Sequence, residues 1–436
     1  MKWKTLTVFA AIFIAVCYTN ADAQYSFTYN AEKPASVSEV FTIGDAHSDL
    51  VNTGSADDTY YITITKDLPD DWSANICVDS MCFGDSVEWE LEAGGSSDVK
   101  PSFFPPSAGE GWVTVQIKSQ NNPTDLKQID FYFACGYNTL LVNGDPGDNY
   151  GEYYDNALGT AGLEYNHWYQ WHCPLYPEDA EMFDTIIWFS GDSDQPLSEH
   201  DIAGLTAFLE GNGDLFMTGQ GLAANMDSSF AHDYLYFRYI DDTECRDIEG
   251  IPSDLISDGF SFEITGSGGA NNQAFPAMIN HVEGATPTLA YAEGGAAGVK
   301  YNDALHQVVF FSFGFEAIND EQTRNDLFAK ILEFFDMQTG VDESEGGTLP
   351  ISISITNAYP NPFNSSANIE LSNPTTRDVS VSIYDIRGRL VEKIFEGELR
   401  AGTHILTWNA QNAASGIYFC RINGSADTGR AMVLIK

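Results

Sequence analysis

Positive charge is what this 436-residue chain has least of: 20 Lys and Arg stand against 63 Asp and Glu. The shortage is uneven. Residues 24–350 hold 10 basic and 55 acidic groups, whereas residues 351–436 hold eight and seven. A surface of that sign repels phosphate backbones and anionic headgroups, which excludes nucleic acid and acidic lipid as partners. Long apolar runs are missing too. Apart from Leu6–Val16, nothing approaches the ~18 uninterrupted apolar residues of a membrane helix, so the mature chain is expected to be soluble, with no membrane span. No G-x-S-x-G is present, so no serine elbow of that form. What is abundant excludes disorder: 43% of residues are hydrophobic, and 28 Phe, 21 Tyr and 8 Trp supply a core.

The first 23 residues read as a secretory signal peptide. Met1-Lys2-Trp3-Lys4 is basic, Leu6–Val16 is apolar, and Ala21-Asp22-Ala23 is an A-x-A cleavage site before Gln24. Cys17 invites a lipid anchor, but Val16 is a poor residue directly before a lipidated cysteine. Six cysteines remain after cleavage. Cys77 and Cys82 are spaced to close a hairpin-sized disulfide, which an oxidising compartment favours; no further ligands are spaced to make them a metal pair. The pairing of Cys135, Cys173, Cys245 and Cys420 stays open.

Length predicts about three domains of roughly 100–200 residues. Residues 24–135 read as strands: Thr59–Thr65, Ser86–Glu92 and Gly111–Lys118 are separated by turn clusters, with Val87, Trp89 and Leu91 on one face. This part resembles the Ig-like β-sandwiches that accompany secreted bacterial enzymes, serving as a spacer or weak adhesion module. From residue 136 to 337 the rhythm changes. Apolar runs at Thr139–Val142, Thr185–Phe189 and Asp214–Thr218 alternate with helical patterns. The clearest helix is Ser198–Glu210, with Ser198 as cap and Asp201 three residues on; Asn325–Phe335 is another. Strand–helix alternation predicts a mostly parallel sheet covered on both faces. Residues 338–351 read as a linker, and 352–436 as a small β-sandwich of short strands with glycine turns.

Three segments carry a resemblance to the class I glutamine amidotransferase-like fold, a three-layer α/β architecture. Asp184–Gly191 resembles the strand bearing the oxyanion loop, with Ser190 and Gly191 at the loop position. Gly213–Leu222 resembles the strand and elbow that present the nucleophile, and Val308–Glu316 the strand carrying the catalytic His and Glu. The departures matter more. The elbow reads Gly219-Gln220-Gly221, and a carboxamide cannot attack a carbonyl; the histidine position falls on Gly314, leaving Glu316 without a base to orient. The resemblance therefore implies a degenerate site and argues against an enzyme of that mechanism. It also implies that Gln220 lies near Ser190, Gly191 and Glu316 in one concavity, the elbow glycines serving turn geometry. With Gln220 in that role, Gln220→Ala is expected to leave stability nearly unchanged.

The tail runs Tyr359-Pro360-Asn361-Pro362-Phe363-Asn364, then Ile383–Val391 with a turn at Gly388, then Ser415-Gly416-Ile417-Tyr418, and ends on Lys436. This ordered set resembles the C-terminal sorting module of type IX secretion cargo. It implies export through the periplasm to the cell surface or beyond, with the type IX machinery as partner; the alternative is an Ig-like domain with no sorting role.

Other constellations are weaker. His167, His172 and Cys173 offer metal donors, but the i, i+5 histidine spacing suits neither one helical face nor one strand face. Asp145, Asp148 and Glu152 follow the first strand of the α/β part and are candidate Ca²⁺ oxygens, without the spacing of a calcium loop. Gly266–Gln273 is glycine-rich but has no Lys for a phosphate cradle. The functional expectation is a secreted protein that binds extracellular polymer, glycan or protein, through its α/β part. Two alternatives stay open: a hydrolase using paired carboxylates such as Asp192 and Asp194, and a structural matrix or adhesion protein.

Overall fold

A computed structural model describes residues 24–335 and 354–436, apart from 148, 194–196, 304–305, 362, 374–376, 386–388, 401, 412 and 424–429. The leader (1–23) and the linker (338–351) expected from sequence lie outside the described residues. The described residues are rich in strands, arranged as five sheets.

Residues 27–135 form two sheets that share one core. Phe27, Leu50, Ile76, Val99 and Phe103 of one sheet cluster with Tyr60, Ile62, Val113, Val115, Phe131 and Phe133 of the other. Strand Asp58–Asp67 shows why: Tyr60, Ile62 and Ile64 alternate inward while Thr63 and Thr65 stay out, as a period of two dictates. Each fully buried aliphatic or aromatic side chain contributes about 1.5–3 kcal/mol. Cys77 and Cys82 face each other in register across a short hairpin and form a disulfide. Cys135, Cys173 and Cys245 are buried single thiols, and Cys420 is buried in the C-terminal core.

The largest sheet has a parallel block in the order Asn166–Tyr169, Thr139–Asn143, Thr185–Phe189, Asp214–Thr218, Gln307–Phe311. Antiparallel strands Ala296–Asn302 and Thr286–Tyr291 extend it beyond the last of these. The four parallel strands inside the edge strand Asn166–Tyr169 are buried at nearly every residue, as expected when both faces are covered. Their alternate side chains enter two separate apolar clusters. Leu140, Val142, Ile186 and Trp188 pack with Leu205, Phe208 and Leu209 of helix Glu199–Glu210. Leu141, Ile187 and Phe189 pack with Leu158 of helix Gly151–Ala161 and with Leu327, Phe328 and Ile331 of helix Glu321–Phe334. Helix Glu199–Glu210 begins with a capping box: Ser198 Oγ accepts from Asp201 N–H, and Asp201 accepts from Ser198 N–H. Helix Glu321–Phe334 is capped by Asp320, whose carboxylate accepts from Thr323 N–H at 2.8 Å.

In chain order the parallel block reads second, first, third, fourth, fifth. The direction of progression reverses between Thr139–Asn143 and Thr185–Phe189, which places the crevice of such a sheet at the carboxyl ends of these strands.

The N-terminal sheets are not a detached spacer. Ala35, Tyr132 and Ala134 belong to the same apolar cluster as the parallel strands. Tyr132 Oη donates to His167 O at 2.7 Å, and Lys33 pairs with the buried Asp179 at 2.6 Å. Sequence periodicity cannot reveal this, because residues turned toward a neighbouring module look like any other buried strand face.

Residues 354–434 form a three-stranded and a four-stranded sheet around Ile369, Leu371, Val381, Ile383, Trp408 and Met432. Arg421 Nη2 reaches Glu39 at 3.1 Å and Phe419 packs on Phe41, their ring centroids 4.7 Å apart. Among the described residues no helix is long and apolar enough to cross a membrane.

Candidate functional site: a carboxamide elbow and its concavity

The strand Asp214–Thr218 ends in Gly219-Gln220-Gly221 and leads into a short helix, Leu222–Asn225. Its two glycines have different causes. Gly221 has φ +74°, a left-handed conformation that disfavours a side chain. Gly219 is fixed by space instead: a Cβ there would lie 1.8 Å from Ser190 Oγ. The expectation that turn geometry explains both is thus corrected for Gly219. Ser190 is buried, and its hydroxyl has no hydrogen-bond partner among the described residues.

Gln220 is 5% exposed, and both ends of its carboxamide are occupied. Nε2 donates to Asp192 Oδ1 at 3.0 Å and to Asn272 O at 2.7 Å. Oε1 accepts from Ala274 N–H at 2.6 Å and Phe275 N–H at 3.0 Å. At this turn Gln220 clamps the loop 272–275.

Glu316 is fully buried. Tyr154 Oη donates to its Oε2 at 2.6 Å and Asn272 Nδ2 to its Oε1 at 2.8 Å. Burial pushes this carboxyl above the usual carboxylate range; the bonds from Asn272 and Tyr154 oppose that, and the Asp192 charge adds to it. Gln220 and Glu316 therefore lie at the same end of the sheet, joined through Asn272. Gly314 donates its N–H to Gln273 Oε1 at 2.9 Å, and a Cβ on it would sit 2.0 Å from Glu316 Oε1. The Glu316 carboxyl occupies the space a side chain at 314 would need. Thr218 Oγ1 ties the elbow strand to this segment, donating to Phe313 O at 2.6 Å and accepting from Phe315 N–H at 3.0 Å.

On the third side, Gly191 has φ +51° and abuts Tyr150 and Asp145. Asp192 next to it accepts from Tyr150 Oη at 2.5 Å as well as from Gln220. The mouth is an open concavity of about 620 Å³ lined by Asp192, Gln220, Asn225, Asp242, Asn272 and Phe275, among others. Phe275 is 62% exposed. Among the described residues no Lys, Arg or His lines it. The arrangement offers carboxylate and carbonyl acceptors, carboxamides and an aromatic face.

Sequence reasoning missed the loop 272–275, Tyr150, Tyr154 and Asp242. The available signal is the carboxamide run Asn271-Asn272-Gln273 after the glycines.

The other candidates fall elsewhere. Asp145 turns its carboxylate onto its own loop, accepting from Gly147 N–H at 3.2 Å and Asn149 N–H at 2.8 Å. Glu152 is exposed on the first turn of helix Gly151–Ala161, and Asp148 and Asp194 lie outside the described residues. No cluster of three or more His, Cys, Asp or Glu suited to a metal occurs among the described residues. His167 lies between Glu110 (2.8 Å) and Asp155 (3.1 Å). Burial alone would lower its pKa, but hydrogen bonds and charge from the two carboxylates push it up to about 10. His172 contacts Pro34 O at 3.3 Å, and burial raises the Cys173 thiol to about 12. The three residues thus have separate partners, and the histidines help join the N-terminal sheets to the parallel block.

In the tail, Tyr359 precedes Pro360, and Asn361 Oδ1 accepts from Val433 N–H at 2.8 Å. Gly416 opens the strand Gly416–Asn423, Tyr418 Oη donates to Ala414 O at 2.7 Å, and Lys436 Nζ to Gln411 O at 2.6 Å. Pro362 and Gly388 lie outside the described residues.

No curated protein matches the sequence. Among solved structures, a glutamine amidotransferase from Methylobacillus flagellatus is similar at 9% identity and TM-score 0.33, covering 48% of this chain and 98% of its own. The N-terminal domain of PorA is similar at 14% identity and TM-score 0.21, covering 25% and 97%. The exo-β-1,4-mannosidase Op5Man5 from Opitutaceae bacterium strain TAV5 is similar at 13% identity and TM-score 0.32 over 48% of this chain; the match spans 36% of the mannosidase. The model of the secretion system C-terminal sorting domain matches residues 357–436. The tail is therefore a sorting domain, and the chain is type IX cargo that works at the cell surface or outside the cell.

Proposed function

We propose that residues 136–337 are a three-layer α/β domain of the class I glutamine amidotransferase type with degenerate catalytic positions, and that its concavity binds extracellular polymer without cleaving it. In this reading 24–135 is an Ig-like sandwich, 338–351 a linker and 352–436 the sorting sandwich. The parallel strand order supports the fold. The observation that carries the function is the Gln220 carboxamide. It stands at the elbow with every donor and acceptor site engaged, opposite a Gly314 whose side-chain space is filled by Glu316. At the elbow itself Gln220 brings no attacking atom and Gly314 no base, yet the mouth stays open with an exposed aromatic ring.

The test is to incubate the full chain with cell-surface proteins and oligosaccharides and to measure retention and bond cleavage in the same sample. Retention with no new amine or reducing ends is the expected result. Ammonia release from glutamine, or turnover of either polymer, overturns the reading.

A further inference from the structure

The chemistry of the concavity narrows what it holds. Asp192 accepts only from the neutral donors Tyr150 and Gln220, and Asp242 accepts from Tyr239 Oη at 3.1 Å. Neither carboxylate joins an ion pair with Lys, Arg or His among the described residues. Beside them, Phe275 has its backbone pinned from both sides, its N–H to Gln220 Oε1 and its carbonyl to Gly221 N–H at 3.3 Å, while its ring stays out in solvent. An exposed aromatic ring on a held backbone, lining the same concavity as two carboxylates that have no basic partner among the described residues, matches a cation carried on an apolar stem. It disfavours phosphate, sulfate and uronic acid, for which no positive partner lines the cavity among the described residues.

The wall adds a second feature. Among the described residues strand Phe237–Asp242 pairs with one strand, Ala277–His281, and residues 238–242 are all exposed. It runs to Asp242 at the mouth, with Arg238 toward its other end. A half-paired strand leading to a cation pocket fits an extended peptide that adds its backbone to the edge and drops a side chain into the pocket.

We propose that the concavity takes an arginine or lysine side chain of an extended peptide segment. This rests on reading the concavity as a binding site and names the polymer as protein rather than glycan.

The experiment uses the full chain at about 0.15 M NaCl, where a Debye length of about 8 Å damps diffuse attraction to the acidic surface. Two labelled, capped pentapeptides are titrated, one with a central arginine and one with neutral citrulline. A neutral oligosaccharide set is the third probe. The arginine peptide is expected to bind at least about tenfold more tightly than its citrulline partner, a gap within reach of one cation–π contact and one close carboxylate. Phe275→Ala and Asp242→Asn, both at exposed positions, should each remove most of that gap. A gap that survives both substitutions would mean diffuse binding to the acidic surface and overturns the proposal, as does the absence of a gap. Oligosaccharide binding lost in Phe275→Ala, with no arginine gap, would leave the concavity as a binding site while refuting the cationic ligand. If Phe275→Ala alters no probe, both readings fail.

Discussion

Replacing Gln220 by alanine removes four hydrogen bonds at once. Two backbone N–H groups, of Ala274 and Phe275, lose their acceptor; Asn272 O and Asp192 lose a donor. A net contribution of about 0.5–1.5 kcal/mol per bond gives roughly 2–6 kcal/mol. Because the loop borders an open concavity, water re-satisfies some of these groups, and about 2–4 kcal/mol is the expected loss. For a unit of some 200 residues this corresponds to a Tm drop of about 5–15 °C. The assay is urea unfolding of the full chain followed by tryptophan fluorescence, with a thermal scan beside it. Gln220→Glu sharpens the test: it keeps both acceptor contacts but sets a carboxylate against Asp192, so its penalty should shrink as pH falls and the new acid protonates. An alanine variant within about 1 kcal/mol of the parent would refute the clamp and restore the expectation, drawn from sequence alone, of a freely replaceable side chain.

Three further outcomes are expected. His167→Gln removes a group whose pKa is raised to about 10, so the wild-type advantage should be complete below about pH 6.5 and disappear as pH rises through 10; with a discount for partial exposure it amounts to about 2 kcal/mol at pH 7, and an advantage unchanged at pH 10.5 would contradict the assignment. Gly219→Ala should cost about 1–3 kcal/mol through its clash with Ser190, and Ser190→Gly in the same chain should recover most of it; additive losses in the double-mutant cycle would show that the two positions do not meet. Deleting residues 352–436 should leave the protein in the periplasm with residues 24–337 still folded, read by fractionation and protease resistance; normal delivery of the truncated chain would show that the sorting domain is dispensable.

What the sequence made legible follows the locality of each signal. Period-two alternation at Asp58–Asp67 and the Ser198/Asp201 capping box are local, and the structure carries both as expected. The Cys77–Cys82 disulfide closes a hairpin and was readable for the same reason. The tail was legible because its residues stand in a fixed order. The loop over the elbow was not: Asn272 and Phe275 lie some 50 residues beyond Gln220, and only tertiary packing brings them onto its carboxamide. The seam between the N-terminal sheets and the parallel block escaped likewise, since Tyr132 and Ala134 read as ordinary inward strand residues. The cause of Gly219 was also hidden, because a glycine required by a neighbour's hydroxyl looks the same in sequence as one required by a turn.

Hydrogen exchange across the full chain, with and without a bound peptide or oligosaccharide and with the ligand analysed afterwards, tests most directly that the elbow has become a non-catalytic binding site. Slowed exchange confined to residues 190–193, 219–225 and 272–275, with the ligand recovered chemically intact, is the predicted result. Protection elsewhere, or a ligand recovered in pieces, would contradict it.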